Sequence, residues 1–261
     1  MSRPVLFAIV PVLVFFVACS GRRLFFVRSE LPILEGRFDL AIAPGPWSHG
    51  DVPVVISDAA DVPDDLVLPT LKTLMTLPGA VDACDPTTRR PRPDAAEYCV
   101  AIYKTPSDWR VTWPVRNLMK EQSSCQPPFG GVDDEDYGRD LPVIGFAHNH
   151  PCGSWMSSPD LTQFPAMKTE GGVWTMVSYA TTPSGRLARD ARNQLIPAWA
   201  WLATGHKGAP RFYKWNAEGR VFQWNEDKAR WDFQSVCRPR ESPGMRGPRM
   251  LYPECVPELT Q

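Results

Sequence analysis

The 28 prolines scattered through this 261-residue chain constrain its fold more than any other feature. Proline fixes the backbone φ angle and lacks the N–H group that helices and strands need, so each one shortens or ends a regular element. The chain is therefore predicted to consist of many short elements joined by stiff loops, and a long helical bundle is disfavoured. Because 43% of the residues are apolar, the chain can still bury one good-sized core.

The charged residues nearly cancel, with 28 Lys and Arg against 29 Asp and Glu. Such a balance creates no field that would attract a polyanion or an anionic membrane surface. Nucleic acid is therefore disfavoured as a partner.

The N-terminus has the pattern of an export signal. Arg3 gives it a basic start, and the apolar run over 5–18 is too short to span a membrane comfortably. The run ends at Cys19 in a sequence that resembles the lipobox of bacterial lipoproteins, although Phe16 stands where leucine is usual. Ordinary cleavage after Ser20, or an uncleaved anchor, are the alternatives. We therefore expect a protein of the bacterial cell envelope, exported and lipid-anchored through Cys19 to the periplasmic or outer membrane face.

The remaining cysteines suit an oxidising compartment. Setting Cys19 aside leaves an even set: Cys84, Cys99, Cys125, Cys152, Cys237 and Cys255. Exported proteins usually hold such cysteines in disulfides. Six cysteines allow 15 connectivities, so up to three disulfides are predicted, without a pairing.

Hydrophobic spacing predicts one helix and several strands. The apolar residues of 64–75 recur every three or four positions after an acidic start, which is typical of a helix, despite Pro69. Runs that are rich in β-branched, aromatic or apolar residues predict strands at 98–103, 109–115, 142–147 and 173–179. A turn separates the first two of these runs, so they are expected to form a hairpin.

A Trp-Asn pair occurs twice near the C-terminus, at Trp215-Asn216 and Trp224-Asn225, and Trp231 continues the aromatic pattern. A turn between the two pairs predicts an aromatic β-hairpin over 211–233. Aromatic pairs across strands more often cover the edge of a core than form a ligand-binding platform. We therefore assign no chemistry to this hairpin.

The stretch from the strand at 142–147 onward carries the residues with chemical potential. His148 and His150 are two positions apart at the end of that strand, so both imidazoles project to one side and can reach one metal ion. Ser158-Pro159 is typical of a helix start, which places Asp160 where it can turn back toward the strand. Two histidines and one aspartate leave a fourth tetrahedral position free, as in catalytic zinc sites. The predicted metal is Zn²⁺.

These residues resemble the signature of the JAB/MPN (JAMM) zinc metalloprotease family, His-x-His-Pro followed by Ser-x-x-Asp. The chain has His148–Pro151 and then Ser157–Asp160. Six residues separate the second histidine from the serine, where the family usually has seven, so Ser158 is an alternative to Ser157. The family also has a glutamate that opens a strand after the first helix, and Glu97 stands at that place. The resemblance covers roughly 64–203.

The resemblance implies an α/β fold in which a mixed, curved β-sheet is flanked by helices, as in JAB/MPN-like and cytidine-deaminase-like proteins. One helix is expected before Glu97 and one near Ser158, with the aromatic β-hairpin added at the C-terminus. The expected organisation is a lipoprotein-type signal peptide at 1–21, a linker with N-terminal strands at 22–63, a metallopeptidase domain at 64–237 and a Pro-rich tail at 238–261.

The resemblance also implies a mechanism in which zinc activates a water molecule, Glu97 accepts its proton and Ser157 hydrogen-bonds the developing oxyanion. Family members cleave peptide or isopeptide bonds, so a peptide or protein substrate is expected. The alternative is a non-catalytic envelope lipoprotein that uses the same fold as a binding or assembly module. A Glu97 carboxylate beside the metal ligands favours the enzyme, and one that points to solvent favours the module.

Several residues compete for the same roles. Glu121, Glu135 and Glu170 are rival candidates for the base. Cys152 adjoins His150-Pro151, but a disulfide or buried thiol is favoured over a zinc ligand in an exported protein. The two other histidines, His49 and His206, are expected to be exposed to solvent.

Overall fold

In a computed structural model of the protein, the described residues are 25–27, 40–42, 54–57, 61–117, 125, 132–134, 136–137, 140–240 and 252–257. The predicted export signal with Cys19 lies outside these residues, as do His49, Glu121 and Glu135. No helix within the described ranges is long and apolar enough to cross a membrane.

Strands dominate the described structure. The helix α1 spans Asp64–Leu74, and a single 3-10 turn spans Asp160–Thr162. The strands in chain order are β1 (Phe25–Val27), β2 (Leu40–Ile42), β3 (Val54–Ile56), β4 (Tyr98–Lys104), β5 (Asp108–Val111), β6 (Val115–Asn117), β7 (Val132–Asp134), β8 (Val143–Asn149), β9 (Ala166–Lys168), β10 (Trp174–Met176), β11 (Trp199–His206), β12 (Ala209–Trp215), β13 (Arg220–Asn225), β14 (Arg230–Arg238) and β15 (Glu254–Val256).

Most strands belong to one 11-stranded mixed sheet. Its main path runs β15-β14-β13-β12-β11-β8-β4-β5-β3, and β6 joins it by pairing with both β4 and β2. Within this sheet β8 and β11 pair in parallel, while the other pairings of the described strands are antiparallel. Two small sheets, β1-β7 and β9-β10, lie apart from it.

The expected α/β fold with helices flanking the sheet is wrong, because the protein is mainly β and its described residues contain one α-helix. The helix expected near Ser158 is reduced to the 3-10 turn Asp160–Thr162. Pro165 follows closely, and the residue before a proline disfavours helical backbone angles. Farther along, isolated β bridges such as Tyr179↔Pro197 replace a second helix. The described structure therefore agrees with the many short elements that the prolines predicted, and not with the fold that the family resemblance implied.

Several of the individual helices and strands predicted from the sequence are confirmed. The helix over 64–75 is confirmed as α1, the hairpin as β4 and β5, and the strand that precedes the histidines as β8. The strand expected over 173–179 is shorter and pairs with β9 outside the main sheet. The aromatic hairpin extends over three consecutive antiparallel strands, β12 to β14, and the tail contributes β15 to the same sheet.

The aromatic strands pack on the protein itself. Trp224 lies opposite Trp231, and their ring centroids are 5.3 Å apart. The Nε1 of Trp231 donates a hydrogen bond of 2.7 Å to Asp64, in the first turn of α1. The Lys214 ammonium lies 5.1 Å from the Trp231 ring centroid and 4.7 Å from that of Trp199. The chain's own lysine therefore lies over Trp199 and Trp231, and the edge of Trp231 is bonded to α1.

The helix α1 packs on β8 and β11 and fixes the strands that carry the site. Its buried face includes Leu66, Leu71 and Leu74, which belong to the same core cluster as Ile102 of β4 and Ile144 of β8. Full burial of a leucine side chain contributes about 2 kcal/mol. The central strands β4 and β8 are therefore held rigidly under the predicted site.

Three disulfides pair all six cysteines outside the signal segment: Cys84–Cys152, Cys99–Cys125 and Cys237–Cys255. Disulfides of this kind form and persist in oxidising compartments, so they indicate an extracytoplasmic location. The bond from Cys84 to Cys152 also confirms that Cys152 is a disulfide cysteine rather than a zinc ligand.

Alkylation of the denatured protein without reductant is expected to modify none of these six cysteines, and all six after reduction, as read by mass spectrometry. Replacing both Cys84 and Cys152 by alanine should lower the free energy of unfolding by about 4 kcal/mol, because the bond closes a 68-residue separation. The Cys237/Cys255 pair, with a separation of 18, is the control and should lose about 3 kcal/mol. Six reactive thiols before reduction would contradict the oxidised state.

Candidate metal centre

The end of β8 presents two imidazoles on one side. His148 lies in β8 and His150 just past it, and their Nε2 atoms are 3.2 Å apart. The backbone N–H of His150 donates to the carbonyl of Ala203 in β11 at 2.9 Å, which keeps the chain in line with the sheet beyond the end of the strand. The alternation that the sequence predicted therefore brings the two histidines together, as metal binding requires.

The 3-10 turn brings a carboxylate between the two imidazoles. Asp160 Oδ1 lies 3.5 Å from His148 Nε2, and Asp160 Oδ2 lies 3.5 Å from His150 Nε2. The indole of Trp215 donates to the backbone carbonyl of Asp160 at 3.2 Å and so fixes the turn. The residue that the sequence placed in a helix thus reaches the site from a much shorter element.

Glu97 enters the site from the residue before β4. Its Oε1 atom lies 3.9 Å from His148 Nε2. Glu97, His148 and His150 form a buried group whose potential ligand atoms all lie within 4.8 Å of one another, and this group could hold a metal ion. Each of these side chains, like Asp160, belongs to a residue that is at most 5% exposed. The Glu97 carboxylate therefore points to the metal-binding side chains and not to solvent.

The spacing of the two imidazole nitrogens suits a shared metal ion. Tetrahedral ligands at about 2.0–2.2 Å from an ion are about 3.3–3.6 Å from each other. His148 Nε2 and His150 Nε2 are 3.2 Å apart, and they lie 3.5 Å from different oxygens of Asp160, His148 from Oδ1 and His150 from Oδ2. Imidazole nitrogen and carboxylate oxygen are donors that several divalent metals accept, zinc among them. The group could therefore bind a metal ion.

Hydrogen bonds behind His150 orient it toward the centre. Its Nδ1 lies 3.2 Å from the carbonyl oxygen of Ser154, and Thr204 Oγ1 donates to the same carbonyl at 2.8 Å. When Nδ1–H donates to Ser154, the Nε2 lone pair faces the other donors, as in most histidine-metal sites. The hydroxyl of Ser154 also lies 3.2 Å from His150 Nδ1. Ser154 was not predicted as a site residue, because no pattern of residue types marks a contact that is made partly through a backbone carbonyl.

His148 is held mainly by packing. Its ring lies edge-on to Trp215 with centroids 6.0 Å apart and stacks on Phe146 at 5.5 Å. Its Nδ1 atom is buried and makes no hydrogen bond of normal distance and angle. The backbone of Trp201 makes only a weak hydrogen bond with this imidazole. The orientation of this imidazole therefore depends on the aromatic cluster around it.

Ser157 supports the carboxylate. Its backbone N–H and its hydroxyl both donate to Asp160 Oδ2, at 2.6 and 2.8 Å. The spacing of three residues between serine and aspartate could have predicted this contact. The role of Ser157 as an oxyanion donor stays a prediction. Its alternative, Ser158, accepts a hydrogen bond of 2.9 Å from the backbone of Arg240.

The buried environment shifts the pKa values of the four side chains of the site in different directions. Burial raises the pKa of Glu97 well above its usual range and lowers that of His148 to about 4. Burial also opposes the charge on His150, but the hydrogen bond and charge of Asp160 outweigh it and raise the His150 pKa to about 9. Burial would likewise raise the pKa of Asp160, yet the two histidines hold it well below its usual range. Without metal, the centre therefore holds a His150–Asp160 ion pair beside a neutral His148.

The other candidates lie elsewhere. Glu170 is exposed, and Glu121 and Glu135 are outside the described residues. The exposure expected for His206 is confirmed, since 74% of its side chain is accessible, and its Nδ1 lies 2.6 Å from Asp82. Among the candidate glutamates, Glu97 is therefore the one that the described structure places beside the histidines.

Comparison with known protein families, with curated proteins and with solved structures finds no match for this chain. The resemblance to JAB/MPN proteases therefore depends on the motif residues alone. The grounds for a function are the positions of these side chains and the chemistry that they allow.

Proposed function

We propose that this protein is a zinc-dependent peptidase or isopeptidase of the cell envelope. The observation that carries the proposal is the buried set of His148, His150 and Asp160, in which the two Nε2 atoms are 3.2 Å apart and each lies 3.5 Å from one oxygen of the carboxylate, with Glu97 beside it. A structural zinc site would use all four positions for protein ligands, whereas three ligands leave one for a reactant.

We assign Asp160 as the third ligand and Glu97 as the general base. The Asp160 carboxylate lies between the two imidazoles, with Oδ1 3.5 Å from His148 Nε2 and Oδ2 3.5 Å from His150 Nε2. Glu97 Oε1 is 3.9 Å from His148 Nε2, which is longer than a tetrahedral edge and suits a carboxylate that acts through a water molecule. Glu97 as a fourth ligand is the competing assignment, and its replacement separates the two.

The protein's own residues supply the remaining chemistry. When bound, zinc would polarise a substrate carbonyl and lower the pKa of water toward neutrality. Glu97 Oε1 would take the proton of the attacking water and return it to the leaving amine. Ser154 and Ser157 hold His150 and Asp160 in the orientation that this arrangement needs.

A surface cleft lies near the site, although its lining includes none of Glu97, His148, His150 and Asp160. Ser154, which contacts His150, also lines this cleft, together with Arg89, Arg92 and His206. A peptide that occupies the cleft would lie one side chain away from a metal ligand. The cleft therefore supports a peptide or protein as substrate.

The alternative of a non-catalytic binding module gains no support from Trp199 and Trp231, because Lys214 lies over both rings. We also propose that the protein is anchored to the membrane through a lipid on Cys19. The disulfides support the part of this proposal that places the protein in an oxidising compartment.

The protein that begins after Gly21, expressed with zinc in an oxidising compartment, is expected to contain about one zinc per chain by elemental mass spectrometry. A peptide library incubated with it should yield cleavage products, and the same incubation with a zinc chelator should yield none. A purified protein without zinc would refute the metal site. A zinc-loaded protein that cleaves no peptide or isopeptide-linked substrate would favour the binding module.

A further inference from the structure

Asn149 stands between the two histidines, yet its side chain serves the opposite side of the strand. Side chains alternate along a strand, so the amide of Asn149 projects away from the imidazoles of His148 and His150. The residue is fully buried, with 0% exposure. A buried amide must find hydrogen-bond partners, because leaving its polar atoms unpaired is costly.

The partners of this amide lie on both sides of Glu97. Asn149 Oδ1 accepts a hydrogen bond of 2.7 Å from the backbone N–H of Tyr98, the residue after Glu97. Asn149 Nδ2 donates at 3.1 Å to the carbonyl of Ala96, the residue before Glu97. One side chain therefore brackets the Glu97 backbone.

The amide continues the sheet at the point where backbone pairing stops. The register of β4 with β8 ends at the pair Cys99↔His148, so Glu97 lies beyond the last paired residues of the two strands. The Asn149 side chain takes over the bonding to Tyr98 and adds a bond of 2.7 Å to the carbonyl of Ala80, in the connection after α1. The backbone next to Glu97 is thereby tied both to the histidine strand and to this connection.

We infer that Asn149 is the positioning residue that sets the Glu97 carboxylate relative to the metal-binding histidines. This inference rests on the proposed function, in which Glu97 acts next to the metal. Without the amide, the residues on either side of Glu97 would lose their side-chain bonds to β8, and β4 would be paired with β8 only from Cys99↔His148 onward. His148 and His150 would keep their own contacts with Trp215 and Ser154. Asn149 thus acts through Glu97 and not through the ligands.

Cobalt loaded in place of zinc tests this inference without a substrate, because its visible absorption reports the surroundings of the ion. Asn149→Ala is expected to shift the cobalt spectrum in the same direction as Glu97→Gln. The double variant should have the same spectrum as Glu97→Gln alone. Zinc affinity, measured by competition with a chelator, should stay within about tenfold of wild type, below the usual upper effect of a residue behind the ligands. Turnover on any substrate found should fall by about 10- to 100-fold.

Thr112→Val is the matched control, because Thr112 Oγ1 accepts a buried hydrogen bond of 2.9 Å from Ala101 of the same strand β4, away from Glu97. It should leave the cobalt spectrum unchanged. If Asn149→Ala does not fold, Asn149→Ser, which keeps a hydroxyl for one of the bonds, takes its place in every comparison.

The outcomes separate the two ideas. A wild-type protein that shows no cobalt absorption refutes the proposed metal site and the inference with it. Normal cobalt binding, together with an Asn149 variant whose spectrum matches wild type, refutes the inference alone. If Asn149→Ala lowered metal affinity equally in the wild-type protein and in the Glu97→Gln variant, the inference would also be wrong. Such a result would show that Asn149 acts on the histidines.

Discussion

Replacing His148, His150 or Asp160 by alanine is expected to reduce bound zinc well below one equivalent per chain and to abolish hydrolysis. Each residue would supply one of three ligand atoms in a buried site, where little else can take its place. The loss of affinity should exceed the roughly 10- to 100-fold that residues behind the ligands usually contribute. Elemental mass spectrometry and chelator competition on the purified variants measure it.

The matched control for these variants is His206→Ala. This histidine is exposed and pairs with Asp82, so its removal should leave zinc content unchanged. Full zinc content in any of the three ligand variants would remove that residue from the site. If Asp160→Ala keeps zinc while Glu97→Ala loses it, the carboxylate ligand is Glu97.

Glu97→Gln should lower turnover by a factor on the order of 10² to 10⁴, the usual contribution of a general base. Glutamine keeps the size of the side chain and most of its hydrogen bonding but cannot accept the proton. Zinc should remain bound, since the assigned ligands are untouched. The measurement is the rate of peptide hydrolysis at equal zinc content.

Glu170→Gln serves as the control for this change, because Glu170 is an exposed glutamate. It should have wild-type turnover. Full activity of Glu97→Gln would mean that another group accepts the proton. Loss of zinc from Glu97→Gln would instead identify Glu97 as a ligand.

The proximity of these side chains was predictable because most of them are local in the sequence. His148, His150 and Asp160 lie within a short stretch, and the alternation of a strand is enough to aim both imidazoles at one point. Glu97 is 51 positions before His148, and only the family resemblance suggested it. Local periodicity also predicted α1, β4 and β8, whose buried faces follow simple patterns.

The layers of the fold and the long-range contacts of the site depended on tertiary structure. The resemblance suggested helices around the sheet, but a motif of a few residues constrains the site and says little about the layers around it. The turn at Asp160 is followed by Pro165, and the residue before a proline disfavours helical backbone angles. The contacts of Asn149 and Ser154 join backbone groups far apart in the chain, so no pattern of residue types reveals them.

Two of the disulfides link the candidate site to an oxidising compartment. Cys99 is two residues after Glu97, and Cys152 is two residues after His150, so each carries a covalent link beside one half of the site. In a reducing cytoplasm neither link persists. Protein recovered from that compartment would lack the bonds beside Glu97 and His150, and a failure to bind zinc there would reflect its redox state. Recombinant protein should therefore be secreted to an oxidising compartment before its metal content or activity is judged.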